Sequence, residues 1–220
     1  MCERRLQSCT RLLELYERLG DTFLNNIVTE DETPLSLYLP DDKRSSKEFK
    51  FPGETATRKL RCGTSHRRCL MLTIFWNSRG IVHMDFADRR ERLNSEYYCS
   101  QIRAARQAIR KPRNQNLHLL HDNAPIHTAA MSDAAILDSD FDVLPHPPYS
   151  PDLAPSDFYL FRHLKHHLRG NRFEDKAEVR DAVMNFFNSK SSDFFQEAFL
   201  ELPSRWTKCV EREGGYIEKR

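Results

Sequence analysis

The chain has 220 residues, of which 39% are hydrophobic and 30% charged, and its formal net charge at pH 7 is +2. This length allows one domain with a substantial core, and the composition is that of a globular protein, which excludes an intrinsically disordered chain. The longest apolar run, residues 70–76, is too short to cross a bilayer, and no secretory signal peptide is expected at the start of the chain.

Basic residues are concentrated in two segments of the otherwise balanced chain. Residues 43–68 contain nine Lys or Arg, and residues 89–113 contain eight. Such patches suit a polyanionic partner, although a solvated surface explains charge alone equally well. The six cysteines form no C-x-x-C pair, so we expect reduced thiols in an intracellular protein.

The N-terminal half begins with a helix and a strand. Residues 1–24 predict one amphipathic helix, which Gly20 ends, and residues 27–29 predict a short strand that runs into Asp31. Residues 33–68 have little periodicity and several prolines, which predicts a long loop of functional importance. Two further apolar segments, 70–76 and 81–86, flank a turn and predict a β-hairpin.

The C-terminal half alternates helices and strands. Asn94 is predicted to cap a helix that runs to about Lys111, and residues 117–120 predict a fourth strand. A helix over 128–137 and a fifth strand from Val143 follow, and then come a proline-rich turn at 145–155 and helices over 156–168 and 175–212. This order predicts an α/β fold with a mixed five-stranded sheet and helices on both faces, which is the order of the ribonuclease H-like fold.

Three aspartates are candidates for a common site. Asp31 and Asp122 each follow an apolar strand, and Asp157 opens a helix. Ligands in open α/β sheets bind at the carboxyl ends of strands, and a helix start favours an ionised carboxylate. Converging carboxylates repel one another unless a cation such as Mg²⁺ or Mn²⁺ lies between them. A lone aspartate at a strand end is more often a turn or cap residue, so the residues alone leave both interpretations open.

Three blocks of sequence carry a resemblance to a known family. Residues 121–129, HDNAPIHTA, and residues 143–157, VLPHPPYSPDLAPSD, resemble two signature blocks of mariner transposases. The 34 residues between Asp122 and Asp157 match the spacing of that family's second and third catalytic aspartates. Residues 27–32, IVTEDE, are similar to the IVTGDE block that holds the first.

The resemblance implies a domain organisation and a metal site. It implies a remnant of a linker helix at 1–24 and a ribonuclease H-like catalytic domain at 25–220, with a clamp-like loop at 33–68. Asp31, Asp122 and Asp157 are then the catalytic residues and the ligands of two Mg²⁺ or Mn²⁺ ions. Asp152 is the rival third ligand, but it is better explained as part of a structural turn.

The resemblance also implies partners and a location. Mariner transposases cleave double-stranded DNA and join the freed ends to new DNA, so we expect a DNA partner, a homodimer and a nuclear location. The basic residues expected to contact DNA are Lys43, Arg44, Lys47, Arg58, Lys59, Arg61, Arg103, Arg106 and Arg110. The last three could instead be the solvent-exposed face of a helix. The family's two helix-turn-helix modules do not fit before Asp31, so we expect a catalytic part without its end-recognition domain.

Two departures from the family pattern keep other functions open. Glu30 replaces the usual Gly, and Thr33-Pro34 stands where the family has an aromatic residue. These changes favour a decayed or domesticated copy that only binds DNA or dimerises, and the fold also permits a nuclease that acts on RNA–DNA hybrids. His163 and His167 have the spacing of a zinc pair on a helix, but a solvent-facing basic helix explains them better.

Overall fold

The computed structural model describes residues 1–38, 69–88, 94–109 and 116–217. Helix α1 (Cys2–Leu19) and the short α2 (Asp21–Asn25) occupy the segment predicted as one helix. They separate at Gly20, whose φ of 60° lies in the left-handed region that glycine tolerates best. The predicted boundary between residues 24 and 25 falls inside α2, and α1 packs against the last helix of the chain.

The five strands form one mixed sheet, as predicted. They are β1 (Ile27–Ser36), β2 (Cys69–Asn77), β3 (Gly80–Asp88), β4 (Leu117–Leu120) and β5 (Phe141–Val143). Their spatial order is β3-β2-β1-β4-β5. The pairs β1–β2 and β2–β3 are antiparallel, whereas β1–β4 and β4–β5 are parallel. The carboxyl ends of β1 and β4 therefore point to the same side of the sheet.

Strand β1 is longer than the sequence pattern predicted. It continues through Thr33 and Pro34, for which the sequence pattern predicts a loop, and pairs with β2 as far as Ser36. Proline is tolerated here because β4 pairs only with residues 27–29, so among the described strands this part of β1 has a neighbour on one side alone. The remainder of the predicted loop, 39–68, lies outside the described residues.

Helices cover both faces of the sheet. They are α3 (Ser95–Ala108), α4 (Ala130–Asp138), α5 (Phe161–Leu168), α6 (Lys176–Asn188) and α7 (Ser192–Glu211). The Asn94 side chain caps α3 by accepting a hydrogen bond of 2.8 Å from the Tyr97 amide, as predicted, although α3 ends at Ala108. Strand β5 begins at Phe141, two residues before its predicted start.

Neighbouring residues of β1 point into two different hydrophobic cores. Ile27 lies in the larger core, which α1, α5, α6 and α7 complete, and Val28 lies in the smaller one with α3 and α4. This alternation is the period of a strand with both faces buried. Among the described residues, no helix combines the length and the apolar character that a membrane span requires.

Candidate active site

A cleft of about 730 Å³ opens at the carboxyl end of β4, beside the middle of β1, and the three predicted aspartates line it. Asp31 lies within β1, and Asp122 follows the end of β4 by two residues. Asp157 belongs to a π-helical turn, residues Ser156–Leu160, that leads into α5. Three separate elements thus bring the three carboxylates to one cleft, as the sequence predicted.

The Asp122 side chain is held by the turn that follows β4. Its Oδ1 accepts hydrogen bonds of 2.8 Å from the Ala124 amide and 2.8 Å from Nδ1 of His127. The bond from His127 is the main reason that the pKa of Asp122 lies below its ordinary value. Asp122 is therefore an ionised carboxylate with a fixed orientation, although 59% of its side chain is exposed.

Asp31 has the opposite electrostatic environment. Burial raises its pKa well above the ordinary value, and the negative charges of Asp157 and Glu32 raise it further. The backbone amide of Glu32 donates a hydrogen bond of 2.8 Å to Oδ1 and opposes this rise only in part. Mutual repulsion of this kind is relieved by a hard divalent cation, for which carboxylate oxygens are the preferred ligands. The side chains present therefore fit a divalent metal ion.

Asp157 is positioned by its neighbour Ser156. The hydroxyl of Ser156 accepts a hydrogen bond of 3.0 Å from the indole nitrogen of Trp76, and both side chains are buried. This bond fixes the start of the π-helical turn against β2. Burial raises the pKa of Asp157, with Lys165 opposing and Asp122 adding to the rise.

Asp152, the rival third ligand, faces away from the cleft. It is buried, and both of its oxygens accept hydrogen bonds from the Arg5 guanidinium, at 2.9 and 2.7 Å. The amide of Ile217 donates a further bond of 3.0 Å. These contacts give Asp152 the structural role that the sequence analysis preferred, and they leave Asp157 as the third carboxylate of the cleft.

Beside the aspartates lies a buried cluster that the sequence analysis did not identify. Nε2 of His127 lies 3.8 Å from Glu30 and 3.4 Å from Glu32, while its Nδ1 contacts Asp122. Burial alone would lower the pKa of His127, but its bonds to Asp122 and Glu32 outweigh burial and raise the pKa to about 11. The imidazolium thus supplies a positive charge among the carboxylates.

Two further groups complete this cluster. Nδ1 of His121 lies 2.9 Å from the hydroxyl of Tyr98, whose ring also packs against His127 with the centroids 4.3 Å apart. Burial lowers the pKa of His121 to about 3, so its ring is neutral. The sequence signal for this cluster was Glu30, which stands where the family usually has Gly. Only the pairing of β1 with β4, however, places Glu30 beside His121 and His127.

Only two of the residues predicted to contact DNA lie in the described part of the chain. Arg103 is exposed on α3, whereas the Arg106 guanidinium donates hydrogen bonds to the carbonyls of Ser139 and Ile109, at 2.9 and 3.3 Å. Arg106 thus contacts protein groups at the end of α4. The remaining residues of that prediction lie outside the described ranges: Lys43, Arg44, Lys47, Arg58, Lys59, Arg61 and Arg110.

His163 and His167 of α5 pack against aromatic rings. The ring centroids of His163 and Tyr159 are 4.6 Å apart, and those of His167 and Phe186 are 5.0 Å apart. Both histidines are exposed on α5, which fits the preferred interpretation of a solvent-facing basic helix better than a zinc pair.

The chain has relatives among known proteins. A family profile described as "Transposase (partial DDE domain)" matches residues 39–119. The Mariner Mos1 transposase of Drosophila mauritiana is 34% identical over 222 residues, which cover 98% of this chain and 63% of that protein. The histone-lysine N-methyltransferase SETMAR of Homo sapiens is 34% identical over 204 residues, 90% of this chain and 29% of that protein. The chain thus spans less than two thirds of either relative.

Solved structures match the fold closely. A Mos1 transposase paired-end complex with the left transposon end has a TM-score of 0.89 at 34% identity, covering 99% of this chain and 63% of that one. The Mos1 transposase catalytic domain with raltegravir and Mn has a TM-score of 0.81 at 30% identity, covering 99% of this chain and 96% of that one. The whole described fold, from α1 to α7, is therefore similar to one catalytic domain.

Proposed function

The chain belongs to the mariner family of transposases and corresponds to their catalytic domain, and from that premise we propose that it cleaves DNA strands and transfers the freed ends to new DNA. The observation that carries this proposal is the convergence of Asp31, Asp122 and Asp157 at one cleft. Keeping three neighbouring carboxylates ionised costs free energy because their charges repel one another. A structural role does not require the three residues to meet.

In this proposal Asp31, Asp122 and Asp157 hold two Mg²⁺ or Mn²⁺ ions. A solved Mos1 catalytic domain contains Mn, which supports divalent metal use by the same fold. Bound ions of this class supply Lewis acidity, which activates water and stabilises charge on the phosphate oxygens. The carboxylates of Asp31, Asp122 and Asp157 suit these ions because Mg²⁺ and Mn²⁺ prefer oxygen ligands.

Polar groups next to the cleft orient these ligands. His127 fixes Asp122 through Nδ1, and the Glu32 amide fixes one oxygen of Asp31. Ser156, anchored by Trp76, fixes the turn that carries Asp157. Fixed ligands lower the reorganisation needed when phosphate enters, which is how a preorganised site accelerates phosphoryl transfer.

The proposed substrate is double-stranded DNA, and the proposed assembly is a homodimer that acts in the nucleus. A related transposase has been solved in a paired-end complex with transposon DNA, which supports a DNA partner. Chromosomal DNA, the target of strand transfer, lies in the nucleus. The basic residues of 43–61 and exposed Arg103 would contact phosphates, since Lys and Arg supply most such contacts.

A non-catalytic, domesticated protein is the second candidate. The similarity to SETMAR, in which the matching segment makes up 29% of a histone methyltransferase, favours it. Glu30 favours it also, because a buried carboxylate beside Asp31 raises the electrostatic cost of the site. This candidate predicts DNA binding without cleavage.

Nicking of supercoiled plasmid in Mn²⁺ separates the two candidates. We expect nicking by the unmodified chain, at least a hundredfold less by Asp122→Asn or Asp157→Asn, and unchanged nicking by Asp138→Asn, an exposed acid of α4 outside the cleft. Calorimetry should show Mn²⁺ binding lost in the first two variants and kept in the third. Metal binding without nicking by the unmodified chain would favour the domesticated protein. Preferential cleavage of an RNA–DNA hybrid over duplex DNA would instead indicate a ribonuclease H activity.

A further inference from the structure

The carboxylate of Glu30 is buried without adequate compensation. Its side chain is fully enclosed, and in the part of the chain that the structure describes neither of its oxygens has a hydrogen-bond partner. Buried polar groups in folded proteins nearly always have a partner, so an orphaned carboxylate calls for a specific explanation. His127 is the ion-pair partner of Glu30, but its Nε2 lies 3.8 Å from Oε2 of Glu30, which is beyond hydrogen-bond range.

Two imidazole rings stand beside this carboxylate. One ligand atom each of Glu30, His121 and His127 can be chosen so that all three lie within 4.8 Å of one another. All three residues are buried, and the rings of the two histidines are 5.3 Å apart between centroids. Two imidazole nitrogens and one carboxylate oxygen form the ligand set of many zinc sites.

The outer contacts of the cluster also suit a metal ion. Each histidine uses Nδ1 for a fixed partner, which is Asp122 for His127 and the Tyr98 hydroxyl for His121. Histidines that bind metals commonly have such a partner on the second ring nitrogen, because it sets the orientation of the ring. Glu32, whose Oε1 is 3.4 Å from Nε2 of His127, is close enough to supply a fourth ligand.

We propose that Glu30, His121 and His127 form a second metal site, separate from the three aspartates, that takes Zn²⁺ or a similar late transition-metal ion. Mixed nitrogen and oxygen ligands favour such ions, whereas the all-oxygen aspartates favour Mg²⁺ or Mn²⁺. Glu30 and His121 line the cleft, which gives an ion an access route. An ion held here would tie β1 to the turn after β4.

The site would also position a residue of the proposed active site. On metal binding His127 would release its Nε2 proton to solvent and bind the ion through that nitrogen while Nδ1 holds Asp122, so the ion and Asp122 would share one ring. Occupancy would therefore fix the orientation of Asp122 more firmly than the ring does alone. The binding itself does not depend on DNA cleavage, so the two proposals can fail separately.

Cobalt(II) is the probe for this site, because its visible absorption reports nitrogen and oxygen coordination. We expect the chelator-treated chain to bind one Co²⁺ with visible bands, and one equivalent of Zn²⁺ to displace it. Glu30→Gln should abolish the bands, and Tyr98→Phe should weaken the affinity about 10- to 100-fold, as loss of an outer-shell partner does. Glu30→Gly, which restores the residue of the mariner block, provides a second test if Glu30→Gln folds poorly.

Two control variants separate this site from other possible ligands. The double variant Asp31→Asn/Asp157→Asn removes the oxygen site, and His163→Ala/His167→Ala removes the helical histidine pair. Both should keep the cobalt bands, and Zn²⁺ should raise the melting temperature of the unmodified chain but not that of Glu30→Gln. Absence of the bands in the unmodified chain, or their persistence in a folded Glu30→Gln variant, would overturn the proposal and leave Glu30 in an ion pair with His127.

Discussion

At the scale of the residue, His127 supplies a buried positive charge beside the cleft. Its side chain is 1% exposed and lies between Asp122, Glu30 and Glu32. Burial raises the pKa of Glu30 well above its ordinary value, and the charge of His127 opposes this rise. One imidazolium therefore reduces the repulsion among several carboxylates in the absence of a metal ion.

This role predicts a pH dependence of stability in metal-free buffer. The folded pKa of His127, about 11, lies above its ordinary value of 6.5. The stabilisation of the folded state by His127 is thus fully present below pH 6.5 and is lost as the pH rises towards 11. Between pH 7.5 and 9 we expect the free energy of unfolding, measured in urea, to fall more steeply in the unmodified chain than in His127→Gln. The difference should reach about 1.4 kcal/mol per pH unit, and equal slopes would refute a charged His127.

At the scale of the element, one buried ion pair joins distant segments of the chain. Arg5 of α1 contacts Asp152, 147 residues away, and also donates a hydrogen bond of 2.8 Å to the carbonyl of Gly214. The helix α1 is thereby fixed to the turn after β5 and to the segment after α7. This helix packs against the rest of the domain, and its origin as the remnant of a linker helix stays a prediction.

The π-helical turn gives a prediction about how an element positions a ligand. Ser156→Ala would leave the buried N–H of Trp76 without its acceptor, which costs about 1–3 kcal/mol of unfolding free energy. Because the same bond fixes the turn of Asp157, we also expect Mn²⁺ to bind more weakly, as measured by calorimetry. Ser204→Ala, which removes an exposed hydroxyl of α7, is the matched control. Unchanged Mn²⁺ affinity in a destabilised Ser156→Ala variant would show that the bond serves stability alone.

At the scale of the whole molecule, local signals predicted most of the fold. The Asn94 cap and the hairpin of β2 and β3 depend on residues close in sequence, and both are confirmed. The predicted length of β1 was wrong because a strand tolerates Pro34 only where β4 does not pair with it. How far β4 extends is a tertiary property that the local sequence does not contain. The cluster around Glu30 was missed for the same reason, since only the parallel pairing of β1 with β4 brings it to the histidines.

The distribution of arginines over the molecule makes DNA binding testable. Arg103 is exposed on α3, whereas Arg106 is engaged with the end of α4, so only the first is free to reach a phosphate. Phosphate contacts release counterions and carry no base sequence, so we expect non-specific binding with a Kd on the order of 10⁻⁴ to 10⁻⁶ M at physiological salt.

Binding to scrambled and transposon-end duplexes, measured over a series of salt concentrations, tests this expectation. Arg103→Ala should lower the slope of log K against log salt by about 1, because one phosphate contact is lost. Arg79→Ala is the matched control, since Arg79 is exposed in the hairpin turn and does not line the cleft. An equal slope change in both variants would mean that Arg103 acts through net charge rather than through a contact. A preference for the transposon end that persists at high salt would require base contacts from this domain, and phosphate binding alone would then be an insufficient account.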